Sequence, residues 1–313
     1  MRVLVTGGAG FIGSHTVDAL VERGVGEIAV IDDLSTGKRA QVNAAARFYQ
    51  ADVRDDAEVR RIVGEFQPQV LFHLAAQMDV RRSVAAPVFD AQVNLLGLLE
   101  LLEAGRQNGL RRVVFASSGG AIYGEQETFP CSEDHPLRPM SPYGVAKLAS
   151  EKYLAFYATE YGIKYLALRY ANVYGPRQDP HGEAGVVAIF CRRLAEARPL
   201  TIFGDGAQSR DYVFVGDVVR ANLAGLEEQA AEGAFNIGTG VETSVNELAA
   251  RLAALAGVRL RVEYAAARPG EQRRSSVASR RAAELLGWRP QVDLGAGLRA
   301  TFAQIAGRTN GSP

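Results

Sequence analysis

The sequence has few cysteines, few lysines and no net charge, and these features exclude several classes of protein. Only Cys131 and Cys191 occur in 313 residues, without a C-x-x-C pair or clustered histidines, so neither a disulfide framework nor a metal site is expected. The 35 basic and 35 acidic side chains cancel, so no overall field attracts nucleic acid or an anionic membrane. We find no signal peptide and no membrane span, and therefore expect a soluble, cytoplasmic protein.

Short β-branched segments alternate with helix-length segments through the first half of the chain. These segments are residues 3–6, 28–32, 48–52, 70–74, 113–117 and 165–170. Strands separated by helices imply βαβ units, and near-continuously apolar strands are typical of a parallel sheet covered on both faces. The pattern predicts an α/β fold with a doubly wound parallel (Rossmann) sheet.

A glycine-rich turn follows the first predicted strand. The glycines that fit the G-x-G-x-x-G spacing are Gly8, Gly10 and Gly13 or, in a second spacing, Gly7, Gly10 and Gly13. Such a turn lets the backbone approach a pyrophosphate, whose charge the following helix N-terminus stabilises. Asp32 ends the second strand, where a carboxylate can bind an adenosine ribose, and with Asp33 it would repel the extra phosphate of NADP. We therefore expect NAD as the cofactor.

Tyr143 and Lys147 stand four residues apart in a predicted helix whose first turn holds Pro142. Residues at i and i+4 share one helix face, so both side chains can act on one site. A phenol titrates near pH ~10, so a tyrosine base working near neutrality needs its anion stabilised by about 4 kcal/mol. A nearby ammonium group and a positively charged nicotinamide can supply much of that. The chain uses arginine almost everywhere, yet keeps a lysine here.

Together these motifs resemble the extended short-chain dehydrogenase/reductase family. The matching segments are residues 6–13, 32–37, 51–53, 73–77, 141–147 and 169–176, and residues 210–215 and 268–271 are similar to nucleotide-sugar contacts of its UDP-hexose 4-epimerase branch. The resemblance runs from residue 1 to about 288. It implies that tightly bound NAD transiently oxidises the sugar C4 and returns the hydride to the opposite face, interconverting UDP-glucose and UDP-galactose.

The resemblance also implies which residues hold the ligands. The cofactor would contact Gly7, Gly10, Phe11, Ile12, Gly13, Asp32, Asp33, Leu34, Ser35, Thr36, Gly37, Asp52, Val53, Leu74, Ala75, Ala76, Gln77, Asn94, Tyr143, Lys147 and Tyr170. The UDP-hexose would contact Ser118, Tyr143, Asn172, Arg210, Arg268 and Glu271. A homodimer is implied as well, with helices in residues 91–107 and 147–161 as candidates for its interface.

The chain departs from the family pattern beside the catalytic tyrosine. Family members usually carry a Ser or Thr that helps to polarise the sugar hydroxyl, and the motif alignment puts Gly119 at that place. Ser118, at the carboxyl end of the fifth strand, is the expected substitute, and Ser117 stays an alternative. The Asp-Glu pair of the family's dehydratases is replaced by Gly120 and Ala121, which argues against dehydration.

The organisation of the chain changes after residue 172. A loop-rich stretch precedes a predicted helix over residues 187–197 and short strands over residues 200–203 and 212–215, and residues 235–240 look like a strand that returns to the main sheet. We expect an NAD-binding Rossmann domain over residues 1–172 and a nucleotide-sugar-binding α+β region over residues 173–313, partly interleaved with it. The polar end of the chain, from residue 299, predicts a frayed tail.

Three alternatives stay open. The substrate could be another UDP-sugar, UDP-N-acetylglucosamine or UDP-glucuronate, and a small side chain at Ser275, near where the family limits pocket size, could admit the N-acetyl group. A net reductase would use the same residues but exchange its cofactor. A non-catalytic NAD-binding regulatory protein would not need Tyr143 and Lys147 on one helix face, so their presence argues against it.

Overall fold

The computed structural model describes residues 1–180, 185–227, 231–267 and 272–310. Its strands are β1 Arg2–Thr6, β2 Glu27–Asp32, β3 Arg47–Gln50, β4 Val70–His73, β5 Arg112–Ser118, β6 Lys164–Tyr170, β7 Asn172–Tyr174, β8 Leu200–Phe203, β9 Ser209–Phe214, β10 Gly233–Ile237, β11 Glu242–Ser244, β12 Val262–Ala265 and β13 Arg274–Ser275. Its α-helices are α1 Phe11–Glu22, α2 Asp56–Phe66, α3 Val80–Ala85, α4 Pro87–Ala91, α5 Gly97–Gln107, α6 Pro142–Tyr161, α7 Val186–Ala195, α8 Val215–Ala224, α9 Val245–Leu255, α10 Arg280–Leu285 and α11 Leu294–Asn310.

Seven parallel strands of the described ranges form the main sheet, in the order β10-β6-β5-β4-β1-β2-β3. The strand order reverses between β1 and β4, and open sheets of this kind bind ligands outside the carboxyl ends of the strands at that point. The predicted α/β doubly wound fold is confirmed.

Both faces of this sheet are covered by helices, which explains why its strands are apolar throughout. Neighbouring residues of β1 point to opposite faces: Val3 and Val5 join the core under α1 and α8, whereas Leu4 joins the core under α2 and α5. The main sheet therefore separates two apolar cores.

The second region has its own sheet and core. Strands β11, β9 and β13 lie side by side with β7 pairing to β9, and β12 pairs with β8. The predicted helix over residues 187–197 is α7, and the strand predicted over residues 212–215 begins earlier, as β9. The expected return strand is β10, which pairs with β6 at the edge of the main sheet.

The predicted frayed tail is wrong as far as the structure describes it. Helix α11 continues to Asn310 because Leu298 and Ile305 are buried in one core with α7, and Thr301 is buried between them. The sequence pattern also misplaced the start of the helix expected over residues 91–107. Helix α4 already begins at Pro87, and a π-helical stretch, Gln92–Leu96, joins it to α5.

Candidate active site

The turn between β1 and α1 brings its glycines against the end of β4. Gly7 adopts a φ of +71°, and a Cβ atom there would lie 2.6 Å from the backbone nitrogen of Ala75. A Cβ atom at Gly13 would lie 2.0 Å from the carbonyl oxygen of Gly7. The second glycine spacing is therefore the one that shapes the turn, whereas Gly8 backs onto the Val30 side chain.

The outer side of this turn is open and faces the start of α1. A Cβ atom at Gly10 would have a single neighbour within 4 Å among the described residues, the Gly7 carbonyl oxygen at 3.2 Å. Gly10 precedes α1, and no described side chain caps the first-turn N–H groups. An open glycine turn leading into an uncapped helix fits a pyrophosphate, because the backbone can approach it and the helix dipole stabilises its charge. The residues present therefore fit a dinucleotide.

The two aspartates that follow β2 have different local roles. Asp32 is buried and accepts hydrogen bonds from the backbone N–H groups of Ala9 and Leu34, both at 2.9 Å, while burial raises its pKa. Asp33 is exposed and accepts hydrogen bonds from the backbone N–H and the hydroxyl of Ser35. Asp32 thus ties the glycine turn to the loop after β2, the same loop that carries the predicted ribose contacts.

The predicted adenine contacts lie after β3. Arg54 forms an ion pair with Asp52, with an Nη2–Oδ2 distance of 2.5 Å, and its hydrogen bonds lower the pKa of Asp52. The Arg54 guanidinium also stacks on the Phe89 ring. Val53 is buried against Gly97, where a Cβ atom would lie 2.9 Å from it. The Asp52 carboxylate is therefore already engaged within the chain.

The catalytic pair predicted from the sequence lies on one face of α6. Ser141 caps this helix by accepting a hydrogen bond from the Gly144 N–H at 3.2 Å, so the helix begins as predicted at Pro142. Lys147 Nζ lies 5.8 Å from the centre of the Tyr143 ring and 4.7 Å from that of Phe115. Lys147 is 1% exposed, and this burial lowers its pKa to about 8.

The structure separates the two serines at the end of β5. The Ser118 side chain lies close enough to the Tyr143 phenol to lower its pKa. Ser117 donates to Glu151 Oε1 at 2.5 Å, on the same helix α6 but one turn beyond Lys147. Gly119 is crowded, because a Cβ atom there would lie 3.1 Å from the Arg169 carbonyl oxygen. Ser118 is therefore the serine that the fold brings to the tyrosine.

The residues of the chain do not by themselves ionise Tyr143 near neutrality. Burial raises the pKa of Tyr143 to about 12, which outweighs the lowering by the Ser118 hydrogen bond, and Asp90 raises it further. A phenolate at this position needs an additional positive charge close by.

Asn94 and Gln77, two predicted cofactor contacts, are bound to each other and to Asp90. Asn94 Oδ1 accepts a hydrogen bond from the Gln77 N–H at 3.1 Å, and Asn94 Nδ2 donates to the Gln77 carbonyl at 2.8 Å and to Asp90 Oδ1 at 2.9 Å. Asn94 belongs to the π-helical stretch, a feature frequent at functional sites. The sequence pattern missed Asp90 because the predicted helix began one residue after it.

A buried histidine completes the surroundings of Lys147. His73, at the end of β4, is bonded through Nδ1 to the Thr6 hydroxyl at 2.8 Å, and its ring stacks on Phe115. Burial, together with the charge of Lys147, lowers the pKa of His73 to about 3, so the imidazole is neutral. His73 therefore adds no positive charge to the site.

The predicted substrate contacts occupy the second region. Asn172 is exposed in β7, and Arg210, in β9, donates to the Ser209 carbonyl oxygen at 2.8 Å. Ser275 pairs with Arg210 in the sheet, and its Oγ would lie 4.0 Å from a Cβ atom at Gly120. Arg268 and Glu271 lie outside the described residues.

The other predicted cofactor contact on this side, Tyr170, points into the core. Its hydroxyl donates to Asn222 Oδ1 at 2.5 Å, and Asn222 in turn donates to the Thr16 hydroxyl of α1. The remaining predicted cofactor residues lie at the same edge of the sheet. Phe11 and Ile12 begin α1, and the others lie in the loops that follow β2 and β4; they are Leu34, Thr36, Gly37, Leu74 and Ala76.

The described residues show neither a metal centre nor a membrane span. No group of three or more His, Cys, Asp or Glu side chains is placed to hold a metal ion in the part of the chain that the structure describes. Among the same residues, no helix is long and apolar enough to cross a membrane.

A doubly wound sheet with a tyrosine and a lysine beside its glycine turn defines a class of NAD-dependent enzymes. The chain belongs to the NAD-dependent epimerase/dehydratase family, whose model matches residues 3–238. This confirms the resemblance drawn from the motifs. The family is NAD-dependent, as the sequence predicted for this chain.

Several relatives are similar over their whole length. A UDP-glucose 4-epimerase of Mycolicibacterium smegmatis is 48% identical over 306 residues, which cover 96% of this chain and 97% of that protein. The structure of a Thermotoga maritima UDP-glucose 4-epimerase with UDP-glucose is 48% identical, with a TM-score of 0.96, and the match covers 99% of this chain and 100% of that one. A Thermus thermophilus UDP-glucose 4-epimerase in complex with NAD is also 48% identical, with a TM-score of 0.93, 98% of this chain and 99% of that one being covered.

Proposed function

We propose that the protein is an NAD-dependent UDP-hexose 4-epimerase that interconverts UDP-glucose and UDP-galactose. The observation that carries the proposal is that Tyr143 and Lys147 share one face of α6, with Lys147 Nζ 5.8 Å from the Tyr143 ring, while Ser118 at the carboxyl end of β5 lies close to Tyr143. The full-length similarity to UDP-glucose 4-epimerases supports the choice of reaction. The chain lacks the acid and base that a dehydratase would place at Gly120 and Ala121.

In this proposal each residue of the pair has one task. Tyr143 takes the proton from the sugar 4-hydroxyl and returns it after the sugar has turned over, and Ser118 fixes the direction of the phenolic oxygen. Bound NAD supplies a hydride acceptor for the sugar carbon and a positive charge near the tyrosine. Lys147 contributes the second positive charge, which a buried phenolate requires. Net oxidation is zero, so the cofactor remains bound.

We further propose that residues 1–172 hold NAD and that residues 173–313, partly interleaved with the first range and joined by Asn172 at its end, hold the UDP group. The glycine turn and Asp32 supply the first site, and Asn172, Arg210, Arg268 and Glu271 would supply the second. Arginine suits the second site, because its guanidinium matches two phosphate oxygens at once. A cytoplasmic location remains a prediction from the sequence.

The homodimer also remains a proposal, and exposed apolar side chains support it. Leu96 lies just before α5 and is 50% exposed, while Tyr153 and Phe156 on α6 are 43% and 50% exposed. We expect light scattering to give a dimer for the wild type and a monomer for Phe156→Glu. Val258→Glu, at an exposed position away from these helices, should remain a dimer. A monomeric wild type would contradict the proposal.

The deciding experiment is an assay without added cofactor. Purified protein is incubated with UDP-glucose, UDP-galactose, UDP-N-acetylglucosamine and UDP-glucuronate, and products are separated by chromatography. We expect UDP-glucose and UDP-galactose to interconvert, with NAD copurifying, and Tyr143→Phe to be inactive. A reaction that needs added NADH would indicate a net reductase instead.

The substrate panel also tests the main alternative. Ser275 is small and buried opposite Gly120, so this side of the pocket has no bulky side chain to exclude an N-acetyl group. Turnover of UDP-N-acetylglucosamine at a rate similar to that of UDP-glucose would assign the broader specificity. Ser275→Tyr should then remove the N-acetylated activity and keep the other.

A further inference from the structure

Asp90 is a carboxylate that lies deeply buried with an incomplete set of partners. Asp90 is 1% exposed. Asp90 Oδ1 accepts hydrogen bonds from Gln77 Nε2 at 3.0 Å and from Asn94 Nδ2 at 2.9 Å. Asp90 Oδ2, in contrast, has no hydrogen-bond partner among the residues that the structure describes. A buried carboxylate with a free oxygen is strongly unfavourable unless a nearby charge compensates it.

The nearby charge is the amine of the catalytic helix. Helix α4, which carries Asp90, packs against α6, which carries Lys147. Burial lowers the pKa of Lys147 and raises the pKa of Asp90, and the charge of each side chain partly offsets this shift in the other. Each is almost fully buried, so little water screens the attraction.

The other titratable groups around Lys147 cannot take over this role. His73 of β4 is neutral, and Tyr143 on α6 is protonated in the absence of further positive charge. Glu151, one turn farther along α6, is bonded to Arg169 of β6 at 2.6 Å, so its charge is already matched. Asp90 is thus the buried anion left to balance the amine in the described structure.

We infer that Asp90 is a positioning residue of the active site, whose buried carboxylate keeps the Lys147 ammonium charged after water has been excluded. Gln77 and Asn94 fix the direction of the carboxylate by bonding one of its oxygens. The inference deepens the proposed function and rests on it for its catalytic meaning. A neutral amine at Lys147 could not stabilise a phenolate, so the reaction depends on this charge.

The test measures the charge of Lys147 directly. The chain has four lysines, Lys38, Lys147, Lys152 and Lys164, so their Nζ signals can be resolved by NMR of ¹⁵N-lysine-labelled protein and assigned with Lys147→Arg. Asp90→Asn keeps the volume and the oxygen that both amides bind, and removes only the charge. We expect it to lower the titration midpoint of Lys147 by roughly one pH unit, a tenfold loss of proton affinity.

A matched variant controls for the loss of one negative charge. Glu100 lies on α5 and is bonded to Arg60 at the surface. Glu100→Gln removes the same charge and should leave the Lys147 midpoint where it is. An equal shift in both variants would mean that Lys147 senses only the net charge, and the inference would be wrong.

The reciprocal measurement decides the matter even if Asp90→Asn fails to fold. The coupling between two titrating groups is the same from either side, so Lys147→Met should raise the midpoint of Asp90, followed by ¹³C-labelled carboxyl signals, by a similar factor. If neither the Lys147 midpoint in Asp90→Asn nor the Asp90 midpoint in Lys147→Met shifts, Asp90 only packs α4 against α6.

Activity provides a third readout and separates this inference from the proposed function. In Asp90→Asn the alkaline loss of epimerisation should move to lower pH by the same interval as the Lys147 midpoint. Asp90 also raises the pKa of Tyr143, so the rate alone would not isolate the pairing. If the variants shift the midpoints as expected but the wild type does not epimerise UDP-glucose, the proposed function alone would be refuted. Normal epimerisation with fixed midpoints would refute the role of Asp90 alone.

Discussion

Helix α6 carries two buried polar clusters, one turn apart, and they differ in how completely their charges are paired. The catalytic cluster consists of Tyr143 and Lys147. The second cluster begins at Glu151, which binds Arg169 at 2.6 Å and Ser117 at 2.5 Å, and Arg169 continues to the Tyr123 hydroxyl at 2.9 Å. Lys147, Glu151 and Arg169 are almost wholly shielded from water, whereas Tyr143 is half-buried.

The difference shows what each cluster can do. A fully bonded network holds its members in one arrangement and leaves little freedom to exchange protons. Groups that are buried without full pairing have shifted pKa values, here about 12 for Tyr143 and about 8 for Lys147, and can respond to a ligand. We interpret the second cluster as the support that fixes α6 against the sheet, and the first as the reactive site.

The largest effect is expected from Tyr143→Phe. Loss of the phenolic hydroxyl should lower kcat for UDP-glucose by about 10³-fold or more, because the proton-transferring group is gone. The melting temperature should change little, since the ring and its packing remain. Near-normal turnover would show that the catalytic cluster is not where the chemistry occurs.

Glu151→Gln is expected to affect stability more than chemistry. It leaves the Arg169 guanidinium buried without its anion, which should lower the free energy of unfolding by about 3 kcal/mol. Urea unfolding followed by circular dichroism measures this. Glu58→Gln, which breaks an exposed ion pair with Arg61, is the control and should unfold like the wild type. Equal stability of the Glu151 variant would remove the distinction between the clusters.

The adjacent serines offer a sharper version of the same contrast. Ser118→Ala should lower kcat by roughly 10²-fold while KM changes little, since Ser118 bonds the tyrosine rather than the bulk of the substrate. Ser117→Ala should keep kcat and lower the free energy of unfolding by about 1 kcal/mol. The reverse result would assign the catalytic hydroxyl to Ser117.

The smallest effect is expected from pH. Burial lowers the pKa of Lys147 to about 8, so the ammonium is present below that pH and is lost above it. Epimerase activity should therefore fall above about pH 8, by at most about tenfold per pH unit. A kcat profile that stays flat far above this value would mean that the Lys147 charge is not required. Ser117→Ala should show the wild-type profile.

The sequence predicted the parts of the site that depend on local spacing. Tyr143 and Lys147 share a helix face wherever the helix packs, and the glycine turn follows from the first strand. The neighbours of these residues, in contrast, come from segments that are distant in the sequence. Asp90 comes near Lys147 only because α4 packs on α6, and no local pattern encodes that packing.

Two further details needed coordinates for similar reasons. Alternation along β5 implies that Ser117 and Ser118 face opposite sides, and α6 covers the side of Ser117 and Phe115. Only the coordinates show that Ser117 binds Glu151 and that Ser118, at the end of the strand, is the serine that acts on Tyr143. The sequence also did not predict the raised pKa of Tyr143. The i, i+4 spacing indicates a nearby ammonium group, but it does not show how strongly burial of the phenol raises the pKa.

The edge strand β10 has a consequence for how the protein is made. Residues 233–237 close the main sheet beside β6, so a nascent chain that has reached residue 172 has all the other strands of the sheet but an open border. Unpaired borders of apolar strands recruit other chains, and parallel strands joined over long distances assemble slowly. A fragment ending at residue 172 is therefore expected to aggregate before β10 could be synthesised, although it contains both Tyr143 and Lys147.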